Sequence, residues 1–265
     1  MEDIVVGSIH NKKCVLITGV SSGIGEALAK MFLSNGFIVC GIARRTPGFW
    51  AKHANMHFFQ LDLTDFSEIQ KTFLKFKNII HGMEFKYLFL NAGKFGPSPK
   101  ECMDISVSEL IDVYKLNVVS VKATIDTCIK LGMIPEYAVA SASISGLRPR
   151  AGMLAYASSK AALNSLIKIY QLENKNIKFI ALGLCNVQTS IKDALDKYND
   201  EPYKFPELYD FLQRAKNPGY VVSPEQRAID IKKILDNVEF LDLDFGEFYE
   251  IRDLISTLRD KQKDK

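Results

Sequence analysis

Lys13-Cys-Val-Leu-Ile-Thr18, then Gly19-Val-Ser-Ser-Gly23-Ile-Gly25, then Glu26-Ala-Leu-Ala-Lys-Met-Phe-Leu33, is the stretch whose reading decides the fold. The first six residues are apolar and partly β-branched, the composition of a buried strand. The last eight have helical periodicity. Between them lie three glycines at Gly-x-x-x-Gly-x-Gly spacing. Gly19 allows a tight turn out of the strand, Gly23 lets backbone approach a pyrophosphate, and Gly25 lets the helix pack close to the sheet. Strand, glycine loop and helix together make the first unit of a dinucleotide-binding fold. Ser21, Ser22 and Ile24 share the loop with the glycines, and the helix amino terminus offers unpaired N–H groups and a positive dipole end to phosphates.

The second strand, Ile38-Val-Cys-Gly-Ile42, runs into Ala43-Arg44-Arg45. An acidic residue at the end of this strand would hold the ribose 2′-hydroxyl of NAD. None is present, and a guanidinium fork suits a 2′-phosphate. The expected cofactor is therefore NADP(H), with Arg44 the main contact and Arg45 a second one, against a plain pair of solvated arginines. Further along, Tyr156-Ala-Ser-Ser-Lys160 places a tyrosine and a lysine one helical turn apart on one face. A phenol ordinarily titrates near ~10. A nearby ammonium favours the phenolate and lowers that value, which makes an acid/base suited to carbonyl chemistry. Alone, the pair would equally fit an amphipathic helix with an exposed lysine; the upstream glycine loop gives it weight.

With Thr18 in front, the glycine spacing resembles that of short-chain dehydrogenases/reductases, and the likeness extends in order from about residue 12 to 253. Ala43 stands where NAD-preferring members carry Asp, while Ser22 stands where many NADP members carry a basic residue. The resemblance implies further roles. Asp62, after strand Met56-His-Phe-Phe-Gln-Leu61, would accept a hydrogen bond from the adenine amino group, or else simply cap the next helix, and Leu63 beside it would also line the cofactor. Leu90-Asn91-Ala92-Gly93 resembles the family's Asn-Asn-Ala-Gly with Leu90 in place of the first Asn; Asn91, Ala92 and Gly93 would line the cofactor, and Asn91 would brace the central sheet. Asn117, in a helical stretch of about 106–131, matches a catalytic asparagine at a helix kink whose carbonyl holds a water that relays protons to the lysine.

Ser143 lies thirteen residues before Tyr156 and opens Ser-x-x-Gly, which selects it over Ser141 and Ser145 as the residue holding the substrate oxygen. Val187 and Thr189 would meet the nicotinamide carboxamide. Leu184 and Cys185 replace the family's Pro-Gly there. The segment of about 190–222, with Pro202, Pro206 and Pro218, resembles a substrate lid. The end of the chain resembles the sepiapterin reductase and benzil reductase branch, in which Asp253 would match a substrate-anchoring aspartate or else be a surface residue.

The chain has 265 residues, 47% of them hydrophobic, and shows no repeat or composition break. It reads as one doubly wound Rossmann-type α/β domain, 12–255, with a parallel seven-stranded sheet in the order 3-2-1-4-5-6-7 and helices on both faces. An extension at 1–11 precedes it, and a charged tail at 256–265 follows it, of which Arg259–Lys265 is expected to fray. A net charge of +3, with lysines scattered among acids, gives no argument for nucleic acid. No apolar run reaches transmembrane length. Glu2 and Asp3 break a signal-peptide start, so a cytoplasmic protein with reduced cysteines is expected. Four histidines without ligand spacing imply no metal.

The expected activity is NADPH-dependent reduction of a ketone or dicarbonyl, including a pterin side chain, by Ser143, Tyr156, Lys160 and Asn117. An NAD(P)-dependent alcohol or sugar dehydrogenase working in oxidation and a non-catalytic NADP(H) sensor are the alternatives. The resemblance also implies a homodimer or homotetramer. Apolar residues on the helices around Asn117 and Tyr156 fit such pairing, and fit a monomer's core as well.

Overall fold

The computed structural model describes residues 12–196 and 204–263. Seven parallel strands form one sheet in the order β3-β2-β1-β4-β5-β6-β7. They are β1 (Lys13–Thr18), β2 (Ile38–Ala43), β3 (Met56–Gln60), β4 (Glu84–Leu90), β5 (Tyr137–Ala142), β6 (Lys178–Gly183) and β7 (Phe248–Glu250). Residues of the inner strands are buried nearly throughout, as expected when both faces are covered.

Alternate residues of each strand feed two separate cores. On one face Cys14, Leu16, Leu88 and Ala138 pack against Phe73 and Phe76 of α2 (Phe66–Ile80), Ile125 of α4 (Ser120–Lys130) and Ile167 of α5 (Leu154–Glu173). On the other face Val15, Ile17 and Phe89 pack against Leu28 and Phe32 of α1 (Gly23–Ser34), Ile231 of α8 (Pro224–Leu235) and Leu258 of α10 (Ile251–Lys263). The period-two alternation of β1 thus holds both helical layers at once. Both Phe76 and Phe89 are almost wholly buried. Truncation of either to Ala would cost about 3–5 kcal/mol.

The helical stretch around Asn117 consists of α3 (Val107–Tyr114), a π turn at Lys115–Val119 and α4. A capping box between Ser106 and Glu109 starts α3. Two short helices, α6 (Ser190–Asp196) and α7 (Pro206–Arg214), and α9 (Val238–Leu241) complete the set.

At the carboxyl end α10 runs on through the charged segment after 255 as far as Lys263, into the stretch expected to fray, and its Leu258 is fully buried in the second core. The extension at 1–11, the lid residues 197–203, Pro202 among them, and the last two tail residues lie outside the described residues.

Candidate active site

A crevice of about 910 Å³ runs along the carboxyl ends of the strands. It starts at the glycine loop and the end of β2 and finishes under α6 and α7. Position follows from topology: in an open parallel sheet the loops on either side of the strand-order reversal leave a gap there.

The cofactor end is built from backbone. Gly19 has φ +80 and Gly23 φ +60, conformations that favour glycine. A Cβ on Gly25 would lie 2.2 Å from the Gly19 carbonyl oxygen and 2.6 Å from Asn91 Nδ2, so no side chain fits. Gly25 itself does not line the crevice; it works from behind by bringing α1 onto β1. Ser22 caps α1 without a side-chain hydrogen bond, so the first N–H groups of the helix keep their donor capacity beside the crevice.

Thr18 and Asn91 fasten the loop to the sheet. Thr18 Oγ1 accepts from the Asn91 and Ala92 amides at 2.9 and 3.1 Å, and Asn91 Nδ2 donates to the Thr18 carbonyl at 3.2 Å. Asn91 Oδ1 in turn accepts from Ser141 Oγ at 3.1 Å, which ties β1, β4 and β5 together.

Arg44, Arg45, Asp62 and Leu63 line the same end. Both arginines are exposed, and Arg45 reaches Ser22 Oγ at 3.5 Å. The Asp62 carboxylate accepts from the Thr64 amide and hydroxyl at 2.9 and 2.8 Å. Partial burial opposes its ionisation, yet those hydrogen bonds and the nearby Arg44 and Lys94 charges hold its pKa below the ordinary value. A dinucleotide fits this end: glycine contacts no side chain could make, uncapped helix donors, and two exposed guanidiniums at the end of β2.

The reacting end gathers Ser143, Tyr156 and Lys160. Tyr156 is 9% exposed, and of the three neighbouring serines Ser143 is the one whose hydroxyl acts on its titration. The Ser141 carbonyl accepts from Lys160 Nζ at 2.7 Å, and the Ser145 amide donates to Ser143 Oγ at 3.2 Å. The Phe95 ring packs against Tyr156 at 5.1 Å between centroids. Gly93 keeps the lysine's end open, because a Cβ there would stand 3.3 Å from Asn117 Oδ1 and 3.8 Å from Lys160 Nζ.

The expected acidic phenol is corrected here. Burial pushes the Tyr156 pKa up, and the Ser143 hydrogen bond only partly offsets this. The Lys160 ammonium does not lower it, because it is turned to the Ser141 carbonyl, with Nζ 5.6 Å from the phenol ring centroid. Burial also brings Lys160 itself down to about 8.

Asn117 sits behind the crevice, in the π turn, 1% exposed. Its Oδ1 accepts from the Lys94 amide at 2.9 Å. Its Nδ2 donates to the Lys94 carbonyl at 2.9 Å and to Ser159 Oγ at 3.0 Å. The side chain is a brace between the β4 loop and α5.

Val187 and Thr189 line the crevice, held by paired amides: Gln188 N–H to the Val222 carbonyl at 3.0 Å and Val222 N–H to Asn186 at 3.1 Å. Just before them Cys185 has φ +57. The backbone therefore keeps the left-handed turn for which the family's glycine is suited, with a cysteine in its place.

Asp253 does not reach the crevice. It is exposed on the first turn of α10. The same segment instead presents Glu250 and Arg252, paired at 2.8 Å, because β7 ends at the crevice and α10 turns away from it. Sequence reading missed these two, and also Arg148, Arg150, Arg214 and Tyr220. Only the flagged end segment carried a signal for them.

A family model of the short chain dehydrogenases matches residues 13–200. The chain is a short-chain dehydrogenase. Members use nicotinamide cofactors on small-molecule substrates, so the protein is an oxidoreductase. The chain is 26% identical over 243 residues to a benzil reductase forming (S)-benzoin from Bacillus cereus, covering 85% of this chain and 95% of that one. It is 30% identical over 217 residues to an NADPH-dependent 3-dehydrocapnine reductase from Ornithobacterium rhinotracheale, covering 76% and 75%. Among solved structures it is similar to a short-chain dehydrogenase/reductase from Saccharomyces cerevisiae, with TM-score 0.75, 22% identity, and coverage of 90% and 96%, a likeness of fold alone. This short-chain dehydrogenase has no described helix long and apolar enough to cross a membrane, and no group of metal-binding side chains among the described residues.

Proposed function

We propose that this short-chain dehydrogenase is an NADP(H)-dependent reductase of ketones or dicarbonyls. The observation that carries the proposal is the gathering of Ser143, Tyr156 and Lys160 in one crevice whose other end has two arginines and no carboxylate after β2. When bound, NADPH supplies a hydride to the carbonyl carbon, which with one proton gives the alcohol and NADP⁺.

The chain's own residues do the rest. The Ser143 hydroxyl donates to the substrate carbonyl oxygen and holds it beside the phenol. Tyr156 holds the proton: burial keeps the phenol protonated across neutral pH, so the acid is loaded for reduction. An alkoxide is far more basic than a phenolate and takes that proton. Lys160, held at the same end by the Ser141 carbonyl, would hold the ribose side of the cofactor. Because the Asn117 amide is engaged, its part in proton resupply would be to hold a relaying water on its main-chain carbonyl in the π turn.

Phe211 and Tyr220, which line the crevice, support an aromatic substrate, as does the benzil reductase relative. Exposed Val107, Ile111 and Val119, with Ile169 and Leu172 of α5, support pairing with a second copy, which light scattering tests.

Two measurements test the function. Tyr156→Phe is expected to lower turnover of an aryl diketone by about 10²–10⁴-fold while NADPH titration still shows binding; full activity would remove Tyr156 from its role. The wild type is expected to bind NADPH more tightly than NADH, and Arg44→Ser to reduce that preference by about tenfold or more. An NADH preference in the wild type would replace this reading with an NAD-linked dehydrogenase.

A further inference from the structure

We propose that the substrate end of the crevice holds an anion subsite, so that the carbonyl compound reduced here carries an acid group. This deepens the reductase reading and rests on it. The loop after Ser143 carries Arg148 and Arg150, while α7 carries Phe211 and, one turn on, Arg214. All four line the crevice together with Ser143 and Tyr156. The Arg150 guanidinium stacks over the Phe211 ring at 4.6 Å, so the two walls meet there and the charge is held in place.

Arg150 is half-buried, and the like charges of Arg214 and Arg148 act on it. Tyr220 and Glu207 are near enough to favour its charge. Even so, neither Arg150 nor Arg214 makes an ion pair with a described residue. Two of the acids at this end are engaged: Glu250 is paired with Arg252 at 2.8 Å, and Asp193 accepts from Gln188 at 2.9 Å; Glu225, in the first turn of α8, lines the crevice as well. Guanidiniums that face one cavity repel each other and lose hydration, a cost that a bound anion removes. Their planar forks match a carboxylate or phosphate.

The cofactor's phosphates do not account for these charges. The glycine loop and Arg44 follow β1 and β2, whereas Arg148 and Arg150 follow β5 and Arg214 follows β6, beyond Tyr156. The simplest ligand is therefore an aryl keto acid, with its carbonyl at Tyr156, its ring near Phe211 and Tyr220, and its carboxylate between Arg150 and Arg214.

The test compares aryl keto acids of increasing chain length, from benzoylformate to benzoylbutyrate, each with its neutral methyl ester, using NADPH and the full chain. For at least one length the acid is expected to exceed its ester in kcat/KM by about tenfold or more, with the ratio shrinking as salt is added. In Arg150→Gln/Arg214→Gln that ratio should fall toward one, and in Arg214→Gln alone, an exposed position, it should fall partway. Calorimetry of the same pairs reads the preference without turnover. Equal binding and equal kcat/KM for acid and ester at every length would overturn the subsite while leaving the reductase reading intact. Tighter binding of the acid with no turnover of any carbonyl compound would keep the subsite and sink the reductase. A keto phosphate favoured over the keto acids would support the subsite with phosphate as its anion.

Discussion

The two ends of the crevice are built by different means. At the cofactor end the determining contacts are backbone against backbone: Gly25 against the Gly19 carbonyl, Gly19 against Ala92, the Thr18 hydroxyl under two amides. At the substrate end they are side chains from separate loops and short helices: Arg150 on Phe211, Cys185 on Glu250, Arg252 on Glu250. A backbone contact has no rotamers with which to adjust, so a change there is felt in full. A side-chain contact can be re-made, so that end can change its ligand without loss of the fold. The sheet serves both ends, but only the first is locked into it.

This contrast breaks most easily at Gly25. A methyl group there must displace the Gly19 carbonyl or the Asn91 amide, because at 2.2 and 2.6 Å neither can coexist with it. Gly25→Ala is expected to destabilise the protein by about 3 kcal/mol, at the severe end of overpacking, and to abolish detectable NADPH binding. Urea unfolding and a fluorescence titration measure both. A variant of wild-type stability and affinity would show that the cofactor end is as adjustable as the other.

Lys160 stands at the junction of the two ends and sharpens the comparison through pH. Its pKa of about 8 lies below the ordinary 10.5 because burial penalises the ammonium. Between those values the unfolded chain holds more protons than the folded one, so this group's contribution to stability rises with pH; below about pH 8 its full penalty is present. Lys160→Met is therefore expected to stabilise the cofactor-free protein near neutral pH by up to roughly 3 kcal/mol, with the gain fading toward pH 10.5. Activity should be lost in the same variant. A Met variant less stable than wild type by the same amount at every pH would mean that the Ser141 carbonyl fully compensates the buried charge.

The same division decides what could be read from the amino-acid sequence. Strand alternation and the glycine spacing are local signals, and with them the sheet order and the cofactor end were legible. So was the pairing of Ser143 with Tyr156, since the spacing that picks this serine also sets it across β5 from α5. Two features were not. The phenol's acidity was read from the nearby cation alone, but the cation's direction depends on the Ser141 carbonyl, and burial outweighs it. The substrate residue was read as Asp253, but the chain passes from β7 into α10 at Ile251. That turn carries Asp253 away and leaves Glu250 and Arg252 at the crevice. Side-chain direction after a short edge strand is a tertiary property, and no periodicity announces it.

The smallest expected effect is at Cys185, and it tests how much the substrate end tolerates. A left-handed conformation costs an L-residue about 1–2 kcal/mol, and glycine would relieve it. Against that, glycine loosens the unfolded chain by about 0.5–1 kcal/mol. It also removes the thiol that donates to Glu250 at 3.1 Å, a contact worth about 0.5–1.5 kcal/mol. The opposing effects nearly cancel, and Cys185→Gly should change stability by less than about 1 kcal/mol, read as a small shift in thermal midpoint. Burial, with Glu250 adding to it, pushes the thiol up to about 11, so Cys185 should also resist alkylation at neutral pH while exposed Cys102 reacts. A loss well above 2 kcal/mol would make the Cys185–Glu250 contact an organising element, and the substrate end would then be locked much as the cofactor end is.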